Sequence, residues 1–131
     1  MDSFPMHITA LYTALLGIML VPISIRITVL RARTKIMFFD GGDPDLGRAI
    51  RVQGNFIEYV PLAVILLGMV EWSGAPGWAV HALGAALLVS RLVHAWGIYS
   101  HQDTGRALGA TVNWIMIAVA GLGLLYLVAM A

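Results

Sequence analysis

Between Ser3 and Ile25 the chain carries no Asp, Glu, Lys or Arg. The same is true from Trp72 to Ser90 and from Ala107 to Ala131, while Val52 to Val70 holds one charge, Glu58. A helix needs roughly 20 mainly apolar residues to cross a bilayer, and four such stretches occur in 131 residues. The expectation is an all-α integral membrane protein, a four-transmembrane-helix bundle forming one domain over 1–131, with helices over about 5–30, 48–71, 78–99 and 105–130. Composition agrees: 60% of residues are hydrophobic and 11% charged, against the usual ~45–50% and ~25%. Eight basic and seven acidic side chains cannot cover a soluble domain of this size. Disorder is excluded, because it requires low hydrophobicity with high net charge.

The basic residues fix an orientation. Arg31, Arg33, Lys35, Arg48 and Arg51 lie in or beside the first loop, with Arg26 just inside it, and Arg91 and Arg106 flank the third connection. The second loop, which opens on the turn signal Ser73-Gly74-Ala75-Pro76-Gly77, has no Lys or Arg. The positive-inside rule then places loops one and three in the cytoplasm and both termini outside, with Trp72 and Trp78 at the opposite interface. The start, Met-Asp-Ser-Phe-Pro, lacks a basic region ahead of its apolar stretch, so the first segment reads as a retained span. A net charge of +1 without a dense basic run gives no reason to expect nucleic acid. The absence of cysteine removes disulfides, cysteine-based zinc sites and a cysteine nucleophile. Asp40-Gly41-Gly42-Asp43-Pro44-Asp45 lacks calcium-loop spacing and a terminal bidentate Glu, and reads as a polar turn; no metal is expected.

Helix two carries the chemistry. Arg48, Arg51, Asn55 and Glu58 are spaced by 3, 4 and 3 residues, which places them within one sector of roughly 80°, with Tyr59 beside it. Two guanidiniums, an amide and a carboxylate therefore run from the interface into the membrane. A carboxylate facing lipid costs about 2.5–3.5 kcal/mol even on lenient scales, so this stripe should face protein or a watery cleft. Pro61 cannot donate to the carbonyl of Ile57, which frees an acceptor next to Glu58. On helix three, Arg91 and His94 lie one turn apart on one face. Arg106 falls in the first turn of helix four, after a cap expected at Asp103 or Thr104. A basic residue there disfavours the helix locally, but with an anion present it completes a dipole-plus-guanidinium site.

Arg51-x-x-x-Asn55-x-x-Glu58-Tyr59-x-Pro61, with the apolar run to Glu71, resembles the helix-two signature of the membrane-associated eicosanoid and glutathione metabolism (MAPEG) family. Arg91-Leu92-Val93-His94 resembles its helix-three motif, Arg106 falls at about the family's thiol-activating arginine, and Arg31 lies near another family basic site. The resemblance, to bacterial-type members, spans essentially the whole chain. It implies an inner-membrane homotrimer that binds glutathione between subunits on the cytoplasmic side and takes a lipophilic small-molecule substrate from the lipid bilayer. On that reading Arg48 and Arg51 take the glutathione carboxylates, because a guanidinium offers bidentate donors. Glu58 takes the ammonium and Asn55 the peptide groups, Tyr59 and His94 are secondary donors, and Arg106 stabilises the thiolate. One position departs from the pattern. Strongly conjugating members often carry a tyrosine four residues after the position of His94, and here that residue is Ile98.

Two other functions fit parts of the pattern. One is a non-catalytic lipid- or glutathione-binding scaffold of the same fold, which has no need of Arg106. The other is a small proton-coupled multidrug transporter using Glu58; the nearby arginines oppose it, since they repel a cation and hold Glu58 ionised.

Overall fold

The computed structural model describes residues 5–131; Ser3 and Phe4, where the first apolar run begins, and the start of the chain lie outside the described residues. Four helices follow in order: α1 (His7–Thr34), α2 (Pro44–Trp72), α3 (Gly77–Tyr99) and α4 (Asp103–Met130). Each is long and apolar enough to cross a membrane. Their outer faces are covered by exposed Ile18, Ile65, Leu122, Leu125 and Val128, a belt suited to lipid and not to water.

Helix ends have local causes. α1 runs four residues beyond the expected end and stops where Lys35 turns left-handed (φ 60°) and its N–H meets the Arg31 carbonyl. α2 starts four residues early because Asp43 caps it, accepting from Leu46 N at 2.8 Å, with Pro44 in the first turn. Segment 40–45 is thus a turn, closed by the Asp43 N–H on the Asp40 carbonyl (2.8 Å) and the Gly42 N–H on Asp40 Oδ1 (3.0 Å). The α4 cap differs from expectation. Gln102 is the N-cap residue without a side-chain bond, and Asp103 lies inside the first turn, where its charge meets the helix dipole.

The bundle core is formed by Leu16, Leu67, Val80, Leu87, Met116 and Ala120, all nearly or fully buried. Small residues set the helix spacing. A methyl at Gly84 would overlap the Tyr12 ring, and one at Gly97 would overlap the Arg106 backbone. At Gly109 it would come within 2.6 Å of the Ser90 carbonyl and His94 Cβ. α3 and α4 therefore touch almost backbone to backbone, as small residues permit in membranes.

At the α2–α3 loop end, Glu71 reaches across to α1. Its two carboxylate oxygens accept from Ile8 N (3.0 Å) and Thr9 N (2.7 Å), completing a helix start that has no side-chain cap of its own. Nearby, the Tyr12 hydroxyl donates to the His81 carbonyl at 3.2 Å. Midway along the helices, Gln53 Nε2 donates to Ser24 Oγ at 2.9 Å. α1 is thereby fastened to α2 and α3 by polar contacts as well as packing.

Candidate functional site

A cleft of about 620 Å³ opens at the end of the bundle that carries the α1–α2 and α3–α4 loops. Its lining brings Arg48 and Arg51 of α2 together with Arg106 of α4, and Ile98 lies in the wall. Pro44 and Asp103 also line it, so two helix N-termini open here and add partial positive charge to three guanidiniums. Asp40, Asp43 and Asp103 supply the opposite sign. Arg48 Nη1 lies 3.6 Å from Asp45, and Arg106 Nε lies 3.5 Å from Asp103, whose side chain is 95% exposed. Exposed pairs of this kind are weak and exchange readily for a better anion.

Gly97 and Gly105 determine where Arg106 sits. Their close approach draws the start of α4 against the last turn of α3, which puts the arginine over the cleft.

Below the cleft the polar residues are tied to one another. Arg91 is 2% exposed. Its guanidinium donates to the Asn55 side-chain oxygen, to the Gly109 carbonyl at 3.1 Å and, through Nε, to Ser90 Oγ at 3.3 Å. One side chain thus joins α2, α3 and α4. Asn55 and His94 are also buried, at 6% and 5% exposure. Among the described residues Asn113, fully buried on α4, has no hydrogen-bond partner for either side-chain polar atom.

The α2 stripe therefore divides. Asn55 turns inward to Arg91, while Arg51 and Glu58 stay on the outer face with side chains 62% and 53% exposed. They pair there, Arg51 Nη1 to Glu58 Oε1, at 3.7 Å. Tyr59 is half-buried. Arg31 lies away from the cleft lining. Its Nη1 donates to the Ile36 and Phe39 carbonyls (3.1 and 2.9 Å) and shapes the first loop. Among the nine expected site residues, the cleft lining gathers Arg48, Arg51 and Arg106; Asn55, Arg91 and His94 lie in the interior.

Three cleft-lining residues have no site role in the sequence: Asp40 reads there as part of a turn, Asp103 as a helix cap, and His101 has no partner pattern. His101 has a left-handed backbone (φ 59°) between α3 and α4, and no spacing rule marks such a loop residue. The pair Gly97 and Gly105 was a usable signal, diluted in a chain with 14 glycines.

Comparison with known proteins bears on the same residues. The family model described as "MAPEG family" matches residues 9–126, which takes in every residue of the cleft and of the Arg91 cluster. "Inner membrane protein YecN" of Escherichia coli strain K12 is 36% identical over 107 residues, covering 82% of each chain. A Synechocystis protein, sll1147, is 32% identical over 130 residues, covering 94% of this chain and 89% of its own. Four membrane-spanning helices, a shared sequence along nearly their whole length and the Arg51–Pro61 signature lead to one conclusion: the chain belongs to the MAPEG family.

Proposed function

We propose that this protein binds glutathione in the cleft and holds its thiol as thiolate, for transfer to, or reduction or isomerisation of, a lipophilic substrate. The observation that carries this reading is the convergence of Arg48, Arg51 and Arg106 with two helix N-termini on one cleft. Glutathione is a zwitterion with two carboxylates, an ammonium and a thiol, and the cleft offers cations and carboxylates together. Arg48 and Arg51 bind the carboxylates as bidentate donors. Arg106, released from exposed Asp103, faces the sulfur. A cysteine thiol has a pKa of about 8.5, and a cation or helix N-terminus lowers it. A lowering of about 2 units, worth roughly 2.7 kcal/mol, makes the thiolate the main form at pH 7.

The assembly is a homotrimer in a bacterial inner membrane, loops one and three cytoplasmic. Support comes from the outward Arg51–Glu58 pair, which a lone chain would present to lipid at a cost of several kcal/mol. It comes also from an apolar groove of about 350 Å³ between α1 and α2, beside Ile57 and Pro61. A neighbouring subunit over this face encloses Glu58, which then meets the ammonium of glutathione. The inner-membrane name of the E. coli relative supports the location.

The test is a glutathione titration of detergent-purified protein, following thiolate absorbance. A saturable signal is expected in the wild type. Arg106→Ala should bind glutathione within about threefold of wild type and lose the thiolate, a change of about 2 units in thiol pKa. Unchanged ionisation in that variant would remove Arg106 from the role. Ile98 in the cleft wall favours one second reading, a binder that holds glutathione without activating it; saturable binding with no thiolate in the wild type would establish it. The transporter reading loses ground, because Glu58 is paired with Arg51.

A further inference from the structure

A second groove, of about 730 Å³ and sharing no residue with the cleft, runs along the outside of α1 toward the first loop. Its lower walls are apolar, with Met19, Pro22, Ile23 and Ile25, and its upper part carries Arg26 and Arg33 with Val29 between them. Pro22, Arg26, Val29 and Arg33 are spaced by 4, 3 and 4 residues, so they form one stripe of α1. The Cα positions of the two arginines are about 10 Å apart along the axis, the deeper one at the edge of the charge-free span. Arg26 lies over the Tyr99 ring, 4.4 Å from its centre. Among the described residues the Tyr99 hydroxyl, buried beneath Arg26, has no hydrogen-bond partner. Asp45 is the acidic residue of the lining, and it is paired with Arg48.

We propose that this groove is a binding site for one anionic phospholipid. The phosphate sits between Arg26 and Arg33, and an acyl chain lies along Pro22, Ile23 and Met19. Two features select this occupant. The guanidiniums stand above an apolar channel, in the order headgroup and chain that a lipid presents from the loop side. The lining also holds two guanidiniums against one carboxylate, Asp45, a net positive charge that a phosphodiester balances. A second copy of the chain fits less well, because its outward acid, Glu58, brings the Arg51 cation with it.

The experiment is native mass spectrometry of the full-length protein in neutral detergent, with equal amounts of phosphatidylglycerol and phosphatidylcholine competing. Wild type should retain phosphatidylglycerol roughly thirtyfold more, about what two interfacial arginines provide at about 1 kcal/mol each. The double variant Arg26→Gln with Arg33→Gln should retain the two lipids equally. Lys35→Gln, an exposed change outside the groove, should keep the preference. Inorganic phosphate in excess should leave the lipid bound. Equal retention by wild type overturns the proposal without recourse to any variant. So does a preference that survives the double substitution, or displacement by phosphate, which would make this a site for a free anion. Efficient subunit cross-linking through Val29→Cys would give the groove to a second copy and overturn it as well.

Discussion

Arg91 shows how much one buried side chain can organise. It donates to oxygens on α2, α3 and α4, and each of those acceptors sits where water cannot replace it. Arg91→Ala should lower stability by roughly 2–4 kcal/mol through unpaired acceptors and a cavity, read as a fall in melting temperature in detergent. Arg91→Lys should recover less than half, because an ammonium lacks the planar fork. Asn113 is the contrasting case. Among the described residues it is buried and unpaired, so Asn113→Leu, which keeps the branching and removes both polar atoms but is bulkier, should stay within about 1 kcal/mol of wild type. A clear loss in the same melting experiment would reveal a polar partner for Asn113. The sequence made the polar residues of α2 legible through their shared face. It did not separate those that turn inward from those that stay outside, because a sector of roughly 80° spans the boundary between two environments. Asn55, about 20° inside the Arg48 edge, reaches Arg91, while Glu58 at the opposite edge remains on the outer face.

The existence of the helices was the most legible feature, because charge-free runs of membrane-crossing length admit few alternatives. Their ends were less so. The start of α2 follows from Asp43 and Pro44, a cap pattern written in the sequence but read there only as a turn. α4 begins without a side-chain cap, which no residue preference announces. Contacts between helices were only faintly legible, since they depend on which of the 14 glycines face each other. Gly97 and Gly105 do so, whereas Gly121 and Gly123 have open space around them. The clamp of Glu71 on α1 is similarly long-range. Glu71→Ala should free the amides of Ile8 and Thr9 and cost about 1–2 kcal/mol, in the range of a lost helix cap. Hydrogen exchange should accelerate at these two amides and stay unchanged along α4; equal protection in the variant would show that the clamp contributes nothing.

For the molecule as a whole, the asymmetry of charge is the dominant property. Arg48, Arg51 and Arg106 gather at one end, and the exposed Trp72 and Trp78 lie at the other. The orientation that follows can be read with single cysteines, because the chain has none of its own. In intact cells Ser73→Cys should react with an impermeant maleimide, while Gln102→Cys should react only after permeabilisation. The reverse pattern would place the cleft outside and separate it from cytoplasmic glutathione. The Glu71 clamp also bears on how such a chain is made. The first turn of α1 is completed by a carboxylate 62 and 63 residues further along. During synthesis, then, α1 enters the bilayer with two amides still open, and only the arrival of the far end of α2 closes them. The first two helices are a biosynthetic unit: a ribosome stalled before residue 71 holds a helix that has been inserted but not finished.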